Sequence, residues 1–574
     1  MEYTSLSEKV LIHPEQVSEE MPYTDQRRVR EALEALGYER VHFDRRILKK
    51  LYPLCRSGQG EYTLSLVHTG DRIEITDIEN GDTREQHYGL AVDYGSTTIV
   101  FQLLNLCTGE TIFQCRETNS QRCYGTDILT RIIYGLGGEE KRRDLHNVTV
   151  DTFHRGFLNI LTHTGIDPAD CPCMVISGNT TMIHFLLELD AWTVFSSPYA
   201  PVVTEPGFFS GPELDLEFPG QVYIIPSASN YIGGDIVSGL LTIDLQEREE
   251  ISAFFDVGTN GELVMGNKDW LMAGAGAAGP ALEGYISKYG MIAGPGAIDR
   301  VKIQGKELTY TTIDDEKPVG ICGSGIIDLL AEMRLNGWVD ITGKLNPDAS
   351  DRIVPVPAAG EEEGANIMTD GSGRKENRKS DKSNSDGPKS GREMEHSAGK
   401  SDSSVREQED SLEAGMEYGA VYAWGSESGT GKDLYFSQTD ILQYIETKAA
   451  AHTMVDCLLD FAGLSIEDVS RMYLSGAFCN HADLESAITI GMFPDLPRDA
   501  YVPLPNSSLE GARTLLLNRG KLQEIRKILD TIYCVQLASA PDFTIRMNSS
   551  KFIPHTDMRL YPSVEKRLAE RGLQ

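Results

Sequence analysis

Two stretches far apart in the chain share one chemical pattern. Asp93-Tyr94-Gly95-Ser96-Thr97-Thr98 and Asp256-Val257-Gly258-Thr259-Asn260-Gly261-Glu262 each pass from an acid into glycine and small polar residues. An apolar run leads into each (Leu90-Ala91-Val92 and Ala253-Phe254-Phe255) and another leads out, so each reads as a β-hairpin. The turn of such a hairpin offers backbone N–H groups and hydroxyls to phosphate oxygens. The acid on the incoming strand is placed to hold Mg2+ through water, because Mg2+ keeps much of its hydration shell. Glu262 adds a carboxylate beside the second turn. Two such turns suggest a duplicated fold closing on one nucleotide from both sides.

Other residues invite chemistry. Asp235 follows Gly233-Gly234 after an apolar strand, where it could orient water against a terminal phosphate. It could equally cap a helix through Ile236, Val237, Leu240 and Leu241, and both readings stand. Met174-Val175-Ile176-Ser177 reads as a strand breaking at Gly178-Asn179 into a helix, a junction where N–H groups face a ligand. His184, one turn into that helix, reads first as a hydrogen-bonded core histidine. Asp127 and Arg131 are four apart and could pair on a helix face.

Several motifs fail on inspection. Gly274 to Gly279 imitates a dinucleotide fingerprint, yet the incoming segment looks like a hairpin strand, Pro280 follows at once and no βαβ unit surrounds it. Gly425 to Lys432 is one residue too long for a phosphate-binding P-loop, and Asp433 stands where a hydroxyl is required. Cys479 and His481 have no partners at ligand spacing, so a metal site there is not expected.

Positioning these residues takes a large chain. Its 574 residues allow several domains, and 40% hydrophobic with 8% aromatic residues fits a soluble globular protein. A net charge of −33 argues against nucleic acid and against an anionic membrane surface. No apolar run approaches spanning length, and Met1-Glu2-Tyr3-Thr4-Ser5 lacks a basic or apolar leader, so a cytoplasmic location is expected. The ten cysteines are scattered, with Cys171-Pro172-Cys173 the one tight pair; they read as reduced thiols, and no iron–sulfur cluster is expected in this chain.

Residues 1–86 read as a small α+β domain, with a helix from Thr24 to Leu36 stopped at Gly37, a second capped by Asp44, and a hairpin through Thr69-Gly70-Asp71. Nothing in it looks catalytic, so a docking or spacer role is expected. Residues 87–246 form a first subdomain around the first hairpin, and 247–574 a second around the other. From about 360 to 416 the composition turns to Ser, Lys, Glu, Asp and Gly, which reads as a disordered insertion in a surface loop.

The two Asp-x-Gly hairpins resemble those of actin, Hsp70 and the sugar kinases, the ASKHA superfamily. The resemblance implies an α/β, ribonuclease H-like, two-lobed ATPase. It also implies an adenosine turn, matched here by Tyr473-Leu474-Ser475-Gly476-Ala477-Phe478. Closer still, the chain resembles the ATP-dependent reductive activators of corrinoid proteins. Asn119-Ser120-Gln121, Tyr124 to Ile132, Ser177 to His184, Gly233-Gly234-Asp235, Gly279 to Gly284, Gly320 to Gly325 and Pro505 to Ala512 carry that likeness. It implies ATP and Mg2+ as cofactors, with Asp93 and Asp256 on the metal and Asp235 as a third catalytic acid. ATP would be held by Gly95, Ser96, Thr97, Thr98, Gly258, Thr259, Asn260, Gly261, Glu262, Gly323, Ser324, Gly325, Gly476, Ala477 and Phe478. It further implies a corrinoid-protein partner from a methyltransferase system. Relatives commonly carry an iron–sulfur domain, so electrons are expected from a separate ferredoxin-like donor. A homodimer is one assembly such a chain could take. A small-molecule kinase with Asp235 as base, and an ATP-switched chaperone for a cobalamin-dependent enzyme, are the alternatives.

Overall fold

The computed structural model describes residues 4–19, 22–57, 60–258, 260–276, 286–358, 415–476 and 481–573. The expected roles of Thr259, Ala477 and Phe478, the Gly279 to Gly284 motif, Cys479 and nearly all of the 360–416 insertion lie outside the described residues.

The N-terminal unit is a sheet of β1 (Ser7–Ile12), β2 (Val41–His42), β3 (Tyr62–His68) and β4 (Ile73–Asn80) in the order β1-β3-β4-β2. It carries α1 (Asp25–Ala35) and α2 (Arg45–Ser57). Thr24 caps α1 by accepting from Arg27 N–H, and Gly37 ends that segment in the left-handed region.

Lobe one follows as β5 (Tyr88–Tyr94), β6 (Thr98–Asn105), β7 (Thr111–Thr118), α3 (Ile128–Gly135), α4 (Glu139–Thr164), β8 (Cys173–Ser177), α5 (Thr180–Leu186), α6 (Trp192–Phe195), β9 (Gly207–Ser210), β10 (Gln221–Ile224) and α7 (Gly234–Ile243). Its sheet runs β7-β6-β5-β8-β10-β9, with β5, β8 and β10 parallel and β5-β6-β7 an antiparallel meander. β5 is apolar on both faces because both are covered: Leu90 and Val92 pack toward one cluster, Ala91 toward another.

Lobe two repeats this topology. β11 (Ser252–Val257), β12 (Gly261–Gly266) and β13 (Leu271–Gly276) form the meander. Next come β14 (Ala297–Gln304), β15 (Glu307–Thr312), β16 (Gly320–Ile321), α8 (Gly323–Leu335), β17 (Ile353–Pro357), β18 (Met416–Ala423) and β19 (Leu434–Ser437), which build two small three-stranded sheets. α9 (Gln438–Ala462) opens on a Ser437/Asp440 capping box. It returns the chain to β20 (Arg471–Ser475), α10 (Leu484–Thr489), β21 (Tyr501–Pro503), α11 (Ser507–Leu517), α12 (Lys521–Thr531), β22 (Ile532–Val535), α13 (Phe543–Ser549) and α14 (Pro562–Glu570). The large sheet runs β21-β20-β11-β12-β13-β22. Read from the last strand of each meander, β13-β12-β11-β20-β21 matches β7-β6-β5-β8-β10 strand for strand and direction for direction.

The helix after the last inner strand of each half, α7 and α11, lies between the sheets. α11 belongs by sequence to the second half, yet it packs on α7, β5 and β8 of the first. One cluster, including Ala91, Val175, Val237, Leu240, Phe254, Val264, Ala512 and Leu515, therefore joins both lobes. The crossing is close: a Cβ on Gly511 would come within 2.2 Å of the Ser238 carbonyl oxygen.

Candidate functional site

The first hairpin turn is held from behind. Asn119 Nδ2 donates to Gly95 O at 3.0 Å, Arg131 Nη1 to Ser96 O at 2.7 Å, and Asn119 N–H to Thr97 O at 3.0 Å. In a planar trans peptide the next N–H points opposite its carbonyl. Pinning these carbonyls back therefore aims the following N–H groups forward, where Ser96, Thr97 and Thr98 line a cleft of about 500 Å3. Such a row of N–H groups is a nest for phosphate oxygens. Arg131 does this while fully buried, its Nε also donating to Gly125 O at 2.9 Å. The expected Asp127–Arg131 pair does not form. Asp127 is the N-cap of α3, accepting from Thr130 N–H at 2.8 Å and Thr130 Oγ1 at 2.6 Å, so the acid serves its own helix.

Four acids line the same cleft: Asp93, at the foot of that turn, and Asp235, Asp256 and Glu262. Asp93 and Asp256 occupy equivalent ends of β5 and β11, each beside a serine on the neighbouring parallel strand, Ser177 and Ser475. Glu262 lies directly opposite Asp256 across the second hairpin. Like charges so placed destabilise a sheet, which marks the pair as built for a ligand. Asp235 is not the cap of α7; Gly233 holds that position, and Asp235 sits in the first turn with its carboxyl at the cleft.

Burial raises all four carboxyls above the ordinary range. Asp235 is pushed up to about 7, by burial first and then by the charges of Asp256 and Asp93. Asp256 rises to about 6 through burial, opposed by a hydrogen bond from Ser475. Glu262 goes well up through burial and the charges of Asp235 and Asp256. Asp93 also rises with burial, held back by Asn506 and Ser508. A crowd of desolvated carboxylates is the surrounding a hydrated divalent cation relieves, and an all-oxygen donor set fits Mg2+.

Asn506, Ser508 and Ser475 were not among the expected site residues, although they fall within the Pro505 to Ala512 and Tyr473 to Phe478 stretches that the resemblance brought out. Asn506 Nδ2 donates to Asp93 Oδ2 at 3.0 Å and Ser508 Oγ to Asp93 Oδ1 at 2.8 Å, so both oxygens of that acid are held from the start of α11. Taken by residue chemistry alone, Asn506-Ser507-Ser508 announces only a helix N-terminus; the family resemblance of Pro505 to Ala512 was the other signal. Asn179 and Arg116 also line the cleft.

The other expected residues divide. Gly95, Gly258, Asn260, Gly323, Ser324 and Gly476 line the cleft. Gly323 and Ser324 begin α8, every residue of which is buried, so its N-terminal N–H groups and dipole face the ligand space. Gly476 has φ +96°, and a Cβ there would sit 2.2 Å from the Val257 carbonyl oxygen, which ties the end of β20 to the second hairpin. Gly325 and Gly261 do not reach the cleft. Gly325 seats α8 against the Ile298 carbonyl, where a Cβ would approach to 2.4 Å, and Gly261 pairs with Val257 and Gly276 inside the sheet. His184 is a core histidine: Nδ1 lies 2.7 Å from Thr180 O, and Nε2 accepts from Val202 N–H at 3.1 Å.

A larger cavity of about 780 Å3 lies between the N-terminal unit, lobe one and α12. Several of its charges are paired within its own walls, as in His42–Glu74 at 2.7 Å and Arg72–Glu74, and Glu213 accepts from Ser210 N–H at 2.7 Å.

Two copies of one sheet closing on an acid-lined cleft define a two-lobed fold of the actin, Hsp70 and sugar-kinase type. The chain belongs to the RACo family. The RACo linker region matches residues 1–85, the RACo middle region 88–248, and the C-terminal domain of RACo, its ASKHA domain, 250–377 and 393–565. Among solved structures, a reductive activator for corrinoid, iron–sulfur protein is 31% identical with a TM-score of 0.79, over 98% of this chain and 81% of that one. The corrinoid activation enzyme RamQ of Eubacterium limosum is 26% identical over 496 residues, covering 86% of this chain and 74% of its own length. The [Co(II) methylated amine-specific corrinoid protein] reductase of Methanosarcina barkeri is 24% identical over 494 residues, covering 80% and 75%. Among the described residues, no helix is long and apolar enough to cross a membrane.

Proposed function

We propose that this chain binds and hydrolyses Mg2+–ATP between its lobes and uses the resulting change to drive reduction of a Co(II) corrinoid on a partner protein of a methyltransferase system. One electron passes to cobalt for each centre reduced, and a separate ferredoxin-like donor supplies it. The observation that carries this reading is the cleft itself, lined by four acids and a buttressed phosphate turn, in a chain that matches reductive activators along most of its length.

In this reading Asp93 and Asp256 hold the hydrated Mg2+, which supplies positive charge against the phosphates. Residues 95–98 and, from the second turn, Gly258, Thr259, Asn260 and Glu262 cradle those phosphates. Gly323, Ser324 and Gly476 to Phe478 serve the nucleoside side, and Asp235 orients the attacking water. Residues 1–86 act as the docking or spacer unit, with 87–246 and 247–574 supplying the two halves of the ATPase. ATP drives the partner uphill only by binding two states of the complex differently, so the lobes must close differently around ATP and ADP.

The test measures phosphate release and the partner's cobalt spectrum, with and without a reduced ferredoxin. Asp93→Asn and Asp256→Asn should each cut turnover about a hundredfold or more. Undiminished hydrolysis in both variants rejects the site. Hydrolysis that leaves the cobalt spectrum unchanged, with donor and partner present, rejects the activator reading.

A further inference from the structure

Two hydroxyl chains run from the acids to the helices between the lobes. Ser508 Oγ donates to Asp93 Oδ1 and lies 2.9 Å from Ser177 Oγ, which accepts from Ser238 Oγ at 2.8 Å. On the other side Ser475 holds Asp256, and its Oγ lies 2.6 Å from Ser507 Oγ. A hydroxyl has one proton to give. Ser508 gives its proton to Asp93, so Ser177 must donate to Ser508, and Ser238 donates to Ser177. By the same logic Ser507 donates to Ser475. Both chains are directed, and each ends on a carboxylate.

Ser177 has a second acceptor within reach, the Gly234 carbonyl at 3.2 Å, in the first turn of α7 next to Asp235. Ser177 and Ser238 are fully buried, so no water replaces a lost partner and the hydroxyls must turn together. An ionised Asp93 draws the chain toward itself. When a cation shares that charge, the draw weakens and the Gly234 carbonyl competes for the Ser177 proton. Ser238, where the chain begins, is also the residue whose carbonyl faces Gly511 at the crossing of α7 and α11.

We propose that the Ser238–Ser177–Ser508 chain, with Ser507–Ser475 as its counterpart, couples occupancy at Asp93 and Asp256 to the seating of α7 against α11. These serines are positioning residues: they pass the state of the cleft to the helix pair on which the lobes turn. The inference rests on reading the cleft as a Mg2+–nucleotide site. Ser177 and Ser238 carry its test because neither lines the cleft.

Hydrogen exchange of the full chain, read at α7 and α11 with and without Mg2+ and a non-hydrolysable ATP analogue, measures the coupling, and calorimetry measures analogue affinity. Ser177→Ala and Ser238→Ala should hold affinity within about threefold but shrink the analogue-induced slowing of exchange about fivefold or more. Thr242→Ala, which removes a hydroxyl of α7 that donates to Gly239 O at 2.7 Å within its own helix, should leave that slowing at the wild-type value. Wild-type slowing in both serine variants overturns the inference, as does an equal loss in Thr242→Ala or the loss of analogue binding in a serine variant that melts normally. A wild-type chain with no analogue response overturns the nucleotide reading and this inference with it. If an alanine variant does not fold, Ser238→Cys keeps the volume, weakens the donor and is judged by the same outcomes.

Discussion

Arg131 gives its charge to three neutral oxygens, those of Ser96, Gly125 and the Gln121 side chain, the last at 3.3 Å. Burying a guanidinium that way makes sense only if the carbonyls it pins matter, and one of them belongs to the phosphate turn. A lysine offers a point charge in place of the planar fork and cannot reach all three. Arg131→Lys should raise the KM for ATP about tenfold and cost about 1–3 kcal/mol of stability, with a smaller change in kcat. Steady-state kinetics and urea unfolding read both; an unchanged KM means that the turn holds itself. The sequence named Arg131 but paired it with Asp127, because four-residue spacing cannot tell which way a buried side chain turns.

Among the elements, the hairpins were the most legible. Strand, acid, glycine and hydroxyl lie within a few residues of one another, so local chemistry alone marks them. The start of α7 was legible through Asp235, whereas by residue chemistry alone the start of α11 was legible as a helix and not as site. An Asn-Ser-Ser stretch at a helix start reads the same whether it meets solvent or an aspartate 413 positions away. Gly476 is the junction where element geometry is least forgiving. Gly476→Ala needs a positive φ from alanine and a contact no Cβ makes, so it should cost about 2–4 kcal/mol and weaken nucleotide binding with it. Chemical denaturation and nucleotide titration measure the two. Wild-type values for both would mean that the end of β20 shifts freely against Val257.

At the scale of the molecule, the N-terminal unit sits on lobe one and on α11. Leu6 N–H donates to Leu516 O at 3.0 Å, Arg519 N–H to Thr4 O at 2.8 Å, and Ser7 Oγ lies 2.9 Å from His87 Nε2. Burial first, then Lys9, depresses the His87 pKa to about 4. The unfolded chain binds that proton near pH 6.5, so between the two values the folded chain holds fewer protons than the unfolded. The contribution is whole above pH 6.5 and lost progressively as pH falls toward 4, at most about 3 kcal/mol. The raised carboxyls of the cleft act in the opposite sense over this range, so the His87 contribution is read as a difference: from pH 7.5 to 5 the melting temperature of His87→Gln should gain steadily on that of the wild type. Equal slopes in both proteins place the titration elsewhere.

The sequence by itself determined the local facts: two acid-tipped hairpins and their order along the chain. Those follow from residues near one another, where backbone sterics and hydrogen-bonding groups act without help from the rest of the chain. Only the tertiary structure decided that four carboxylates share one cleft, that Asn119 and Arg131 brace the first turn, and that α11 crosses back to hold Asp93. Each of these depends on chain segments far apart in sequence, brought together by burying the apolar faces of two sheets against one pair of helices.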